Sequence, residues 1–225
     1  MYGWGVMNSR YDTALWHEVV KKEEYQVIKS FLPHTDLIID LGAYKGFFAW
    51  WVLKNHFKGK LILVEPVKDF LDEAKKLLQK DFPTADVQFF ECAIGNGDKV
   101  FYQDLQRWWH SWFDYGDIEI KFLQKFKKKI ITPKICNLNN IFSDINISSQ
   151  RIWIKMDIEW AELEILDDFT YWQNIDWLVI EYHLLNKDLN GKFDNMLQLL
   201  NKKFKKTKVF PSSYTDQVWL IASFR

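Results

Sequence analysis

The chain of 225 residues balances 30 lysines and arginines against 30 aspartates and glutamates, so no overall field favours nucleic acid or an anionic membrane. That length suits one domain, 1–225, with a proper core and leaves little for a second. Two cysteines, Cys92 and Cys136, form no disulfide framework or zinc spacing, no apolar run approaches the roughly 18 residues of a membrane span, and the start has no signal-peptide pattern, so a cytoplasmic setting is expected.

Trp16, Val19, Val20, Glu23, Val27, Ile28 and Phe31 recur at three- and four-residue intervals, which predicts one amphipathic helix over 14–32, stopped by Pro33, within an N-terminal helical segment 1–34. Leu37 to Leu41 then reads as a strand buried on both faces, interrupted by Asp40 and running into a turn with Gly42 and Gly46. A carboxylate near the end of a buried strand needs a partner, and glycines let a ligand approach the backbone. The spacing is neither G-x-G-x-x-G nor a P-loop, so alone it marks no particular ligand.

A second buried strand, 61–64, ends in Glu65-Pro66, where an acid can accept hydrogen bonds from ribose hydroxyls; a solvated acid before a turn proline is the other reading. Residues 69–78 have the helical period with acids early and lysines late, and 87–91 reads as a third strand. Strands and helices in alternation imply right-handed crossovers and a parallel sheet with helices on both faces.

Over 97–135 the pattern changes to short β-rich pieces, 99–103 and 129–133, around Arg107, Trp108, Trp109, His110, Ser111, Trp112 and Phe113. This reads as an insertion over the sheet's binding edge. Its aromatic faces suit a sugar ring or planar group, or else pack on each other as a lid. At 17% aromatic residues the chain holds more aromatic area than a core requires, which fits a binding surface. The lysines of 125–129 and 202–208 alternate with Phe126 and Phe204 and read as solvated faces, which leaves nucleic acid an unfavoured partner.

Strand character returns at 151–157, putting Trp153, Lys155 and Asp157 on one side and Ile152, Ile154 and Met156 on the other. A lysine in a central strand needs a counter-charge, so Lys155 is expected to pair with Asp40, Glu181 or both; an edge strand with exposed Lys155 is the alternative. A helix at 160–168, a strand at 177–183, a helix at 192–204 and two short strands, 208–210 and 217–223, complete the reading.

The segments Asp40-Leu41-Gly42-Ala43-Tyr44-Lys45-Gly46, Glu65-Pro66, Ala93-Ile94-Gly95, Lys155-Met156-Asp157-Ile158-Glu159-Trp160-Ala161-Glu162 and Glu181-Tyr182-His183 together resemble the FkbM-type family of S-adenosylmethionine-dependent methyltransferases. The likeness spans residues 35 to 185, with one departure: Trp160 stands where the family usually has glycine. The resemblance implies a Rossmann-like class I methyltransferase fold, with a seven-stranded, mainly parallel sheet whose last strand is antiparallel. It also implies S-adenosyl-L-methionine as cofactor, with Asp40 and the backbone around Gly42 and Tyr44 at its methionine portion, Glu65 at the ribose, the Cys92-Ala93 region at the adenine edge, and Gly46 and Asp157 among the other cofactor-binding residues. No metal is expected.

Methyl transfer from a sulfonium rests largely on positioning, but a hydroxyl acceptor must lose a proton. Asp157, Glu159, Glu181 and His183 near strand ends are the candidate bases, with Glu159 or Asp157 first, His183 next and His110 able to enter from the insertion. The expected activity is O-methylation of a sugar, glycan or related small metabolite. The rivals are an amine or RNA-ribose acceptor, a cofactor-binding interaction module without catalysis, and a nicotinamide-dependent oxidoreductase, the last disfavoured by the absent fingerprint.

Overall fold

The computed structural model describes residues 10–22, 24–96, 101–104, 111–113, 128–145, 147, 151–158, 161–183, 191–211 and 218–224. Strands Leu37–Leu41 (β1), Lys60–Val64 (β2), Val87–Phe90 (β3), Ile152–Met156 (β9), Ile175–His183 (β10), Lys206–Pro211 (β11) and Val218–Phe224 (β12) form a seven-stranded sheet ordered β11-β12-β10-β9-β1-β2-β3. β1 pairs parallel with β2 and β9, while β12 runs antiparallel between β10 and β11. This is the sheet the sequence resemblance implies. Its order reverses direction at β1, where β2 lies on one side and β9 on the other.

The unbroken apolar runs produce this sheet because successive side chains enter opposite layers. Ile39, Leu41, Ile62, Val64, Ile154 and Met156 pack with residues of helices Leu138–Asp144, Glu162–Asp167 and Lys192–Lys203. Ile38, Leu61, Leu63, Trp153 and Val179 face the other way, onto helices Phe47–Lys54 and Lys68–Asp81 and the N-terminal segment. Helix Phe47–Lys54 is buried from Phe47 through Val52, so Trp50 and Trp51 are core residues. With Trp16, Trp153 and Trp172 also buried, much of the aromatic excess is packing rather than binding surface.

The single helix expected over 14–32 is broken. An α-helix, Arg10–Trp16, opens into a π turn, His17–Lys21, closed by Lys22 N–H donating to the His17 carbonyl at 2.8 Å. A 3₁₀ helix, Glu24–His34, follows, kinked at Tyr25 and containing the Pro33 expected to stop it. The wide turn and kink let Trp16 and Tyr25 enter one core cluster, which a uniform 3.6-residue period would not align. Phe31 packs at 3.5 Å, centroid to centroid, on Trp177, which stacks at 4.7 Å on Phe224 of β12.

The 97–135 region contains a three-stranded antiparallel sheet, β6-β5-β7, of Phe101–Asp104 (β5), Ser111–Phe113 (β6) and Lys128–Ile131 (β7). Arg107, Trp108, Trp109 and His110 and the Trp112 side chain lie outside the described residues. Ala93–Ile94 (β4) pairs parallel with Ile135–Cys136 (β8), a ladder too short for the sequence pattern to announce. Lys206 and Lys208 lie on edge strand β11, exposed, where charge discourages pairing with another chain. Among the described residues no helix is long and apolar enough to cross a membrane.

Candidate active site

The turn after β1 is built against the end of β9. Asp157 N–H donates to the Leu41 carbonyl at 3.0 Å, and a Cβ on Gly42, whose φ is 76°, would run into the Asp157 carbonyl oxygen. Only glycine therefore lets the two strand ends abut. Gly42 and Ala43 N–H both donate to the Val64 carbonyl at 3.0 Å, tying the turn to β2. Gly46 has φ 76° and precedes helix Phe47–Lys54; its Cβ would come 3.0 Å from the Cβ of Ala74. Gly46 is thus fitted to helix packing.

Glu65, expected at the ribose, already holds two backbone amides. It is 5% exposed, and its two oxygens accept Tyr44 N–H and Val67 N–H, each at 2.9 Å. Burial pushes its pKa up to about 7, against the pull of the Val67 and Tyr44 amides. A carboxylate has about four lone-pair sites, so further acceptance remains open to it, but its first task is to shape the turn around Tyr44, a non-glycine residue at φ 48°. Glu162 plays a matching part after β9, where its Oε1 accepts Ile158 N–H at 3.2 Å.

Lys155 and Asp40 meet as expected. Lys155 Nζ donates to the Gly42 carbonyl at 3.0 Å and lies 3.3 Å from Asp40 Oδ1 and 3.5 Å from Asp157 Oδ2. Lys155 is 6% exposed, which excludes the exposed edge-strand alternative. Burial works against its charge, but Asp40, Asp157 and Glu181 outweigh that and hold its pKa above the usual lysine value. Asp40, expected at the cofactor's methionine end, is 0% exposed; burial raises it to about 6 despite Lys155. Its carboxylate contacts the Lys155 ammonium, at 3.3 Å from Oδ1. Asp157, with 27% of its side chain exposed, is the member of the trio that faces outward.

Glu181 does not pair closely with Lys155; instead its Oε2 accepts the Tyr25 hydroxyl at 3.2 Å. Beside it the Glu24 carboxyl is pushed well above the carboxylate range, first by burial and then by Glu181, Glu18 and Asp157. The N-terminal segment thus adds Glu24 and Tyr25 to the strand ends, a contribution the sequence reading missed because an ideal helix would have spread these residues around its surface.

Cys92 and Ala93 are both buried, and burial followed by the neighbouring Cys136 thiol raises the Cys92 pKa. Ala93 N–H donates to the Lys134 carbonyl at 2.9 Å. Glu159 and Trp160 lie outside the described residues, as does the side chain of His183, whose backbone ends β10 opposite Val218. Among the described residues no group of three or more acids, histidines or cysteines could hold a metal ion.

The family profile described as Vibrio cholerae RfbT protein matches residues 8–217. The chain belongs to the Vibrio cholerae RfbT protein family. No curated protein matches it. Among solved structures, this RfbT-family chain resembles the precorrin-6y C5,15-methyltransferase of Geobacter metallireducens GS-15, at TM-score 0.50 and 12% identity over 100% of this chain and 93% of that one. It resembles the METTL16 methyltransferase domain at TM-score 0.51 and 10% identity, over 91% of this chain and 67% of that one. It matches EvdMO1 at TM-score 0.48 and 10% identity, over 90% of this chain; the chain spans 40% of the length of EvdMO1 and 38% of that of the bifunctional kinase-methyltransferase WbdD. The RfbT-family chain has the class I, Rossmann-like methyltransferase fold.

Proposed function

We propose that this single-domain chain is an S-adenosylmethionine-dependent O-methyltransferase acting on a hydroxyl of a sugar, glycan or related small metabolite. One observation carries the reading: Asp40, Lys155 and Asp157 converge with the Gly42 turn at the carboxyl ends of β1 and β9, the point where the strand order reverses. Open α/β sheets bind ligands in the crevice outside such a point. The FkbM-type motifs fall on the same residues, and the fold supports the same chemistry.

The donor set fits the cofactor. Asp40 and Asp157 lie beside the Lys155 ammonium and Glu181 acts on it from farther off, so the strand ends carry excess negative charge, which favours a ligand bearing an ammonium and a sulfonium. Asp157 would face the methionine portion, Glu65 the ribose through its remaining lone pairs, and the backbone at Cys92-Ala93 the adenine. When bound, S-adenosylmethionine supplies an electrophilic methyl group and a neutral thioether leaving group. The chain's own part is to orient the acceptor oxygen in line and take its proton. Asp157, Glu159 and His183 are the residues assigned that proton, and the 107–113 aromatics are assigned the acceptor's ring.

RNA ribose is a weaker reading, because the 202–208 lysines gather around edge strand β11 rather than at β1 and β9. Calorimetry with S-adenosylmethionine, S-adenosylhomocysteine and NAD tests the cofactor, and transfer of labelled methyl to neutral sugars tests the acceptor. Binding of the first two without NAD, followed by sugar methylation, is the expected result; binding of NAD alone overturns the reading.

A further inference from the structure

Asp12, on helix Arg10–Trp16, is 0% exposed, an unusual place for a carboxylate unless its oxygens are matched. They are. Oδ1 accepts the Tyr44 hydroxyl at 2.8 Å, and Oδ2 accepts Lys45 Nζ at 3.0 Å. The same ammonium reaches Glu73 Oε2 on helix Lys68–Asp81 at 2.8 Å.

Tyr44 is therefore gripped at both ends. Its amide donates to Glu65 and its hydroxyl to Asp12, and between these bonds the backbone sits at φ 48°, a left-handed conformation that a residue with a side chain holds only when its surroundings impose it. A continuous chain of hydrogen bonds runs from the first helix, through Tyr44, to the carboxylate at the end of β2. The helix can bury Asp12 only while the turn presents Tyr44 and Lys45 in this shape. By reciprocity, the docked helix favours this shape of the turn.

We infer that Asp12 is a positioning residue for the cofactor turn: docking of the first helix fixes Tyr44 and, through Tyr44, the carboxylate of Glu65. This rests on the cofactor reading above and extends the binding machinery to a residue outside every motif in the sequence. Asp12 acts chiefly through Tyr44, with Lys45 of the same turn as its second contact, so its influence on ligand affinity must shrink when the Tyr44 hydroxyl is absent.

The test is calorimetry of S-adenosylhomocysteine binding to the full chain in parent, Asp12→Asn, Tyr44→Phe and doubly substituted forms. Leu200→Ala, on the opposite face of the sheet, controls for general loss of stability. The Tyr44 ring is packed edge-on against Phe47 and Phe70, so Tyr44→Phe removes one oxygen without removing its packing, and the test stands even if Asp12→Asn fails to fold. Each single substitution should weaken binding about tenfold, the double should lose clearly less than the sum of the two, and Leu200→Ala should lower the thermal midpoint with parent affinity. Parent-like affinity in Tyr44→Phe, or losses that add in the double, overturns the inference. A parent that binds no S-adenosylhomocysteine overturns the cofactor reading itself and this inference with it.

Discussion

Lys155 stands directly opposite Asp40 in the β9–β1 register, and its ammonium spans the two strands to reach Asp40 Oδ1 at 3.3 Å while capping the Gly42 carbonyl. One side chain thus neutralises a fully buried acid and anchors the turn that follows it.

Lys155→Met should unfold the protein more easily by about 3–5 kcal/mol near neutral pH, because it strands a buried carboxylate. Without Lys155, Asp40 takes up its proton at a higher pH than in the parent, so the loss should shrink as pH falls towards about 6 and level off below it, and Asp40→Asn combined with Lys155→Met should recover part of the stability. Denaturant titrations of the three forms check this; equal stability of Lys155→Met and parent would refute the pairing.

Glu65 sets a pH dependence of opposite sign to that of a salt-bridged acid. Its folded pKa of about 7 exceeds the ordinary 4.5, so the folded state holds the proton more tightly, and stability present below pH 4.5 is lost as pH rises through 7. The effect should be up to about 3 kcal/mol and should be reduced in Glu65→Gln, with Asp40 contributing a residual slope below about pH 6. Unfolding free energies from pH 4.5 to 8 check it; the same slope in parent and Glu65→Gln would assign the dependence elsewhere.

The two turn glycines should differ sharply. Gly42→Ala drives a methyl into the Asp157 carbonyl and should cost about 4 kcal/mol or more, separating β1 from β9. Gly46→Ala meets only the Ala74 methyl at 3.0 Å, plus the unfavourable φ, and should cost about 1–2 kcal/mol. Thermal midpoints rank them, and an equal ranking would contradict the strand-end contact.

Removal of the base should slow chemistry more than binding. Asp157→Asn, Glu159→Gln and His183→Gln in single-turnover methyl transfer at saturating cofactor should include at least one loss of about 100- to 10,000-fold. Asp157→Asn should also weaken S-adenosylhomocysteine, because Asp157 belongs to the Lys155 trio. Three rates within a few-fold of the parent would leave positioning alone to carry the reaction.

The central sheet was readable because burial on both faces leaves unbroken apolar runs, and the Lys155–Asp40 pair followed from the cost of an unmatched charge in such a run. The N-terminal segment was not, because its π turn and 3₁₀ stretch answer to packing of Trp16 and Tyr25 rather than to a local period. Glu65 was found as an acceptor, but its two amide partners were not. An acid at a strand end signals a recipient of hydrogen bonds, and nothing local says whether the donors are ribose hydroxyls or the amides of Tyr44 and Val67. Asp12 carried no signal, since its partners lie on a turn some thirty residues away.

The Phe31–Trp177–Phe224 stack joins the N-terminal segment to the last strand, and β1 finds its partner β9 only after most of the chain has been made. During synthesis β1 must remain without its central neighbour until the ribosome has delivered β9, and the N-terminal segment without its final aromatic seat until it has delivered β12. Such distant pairings slow folding, so assembly should be largely post-translational, and a truncation at one end should loosen the other.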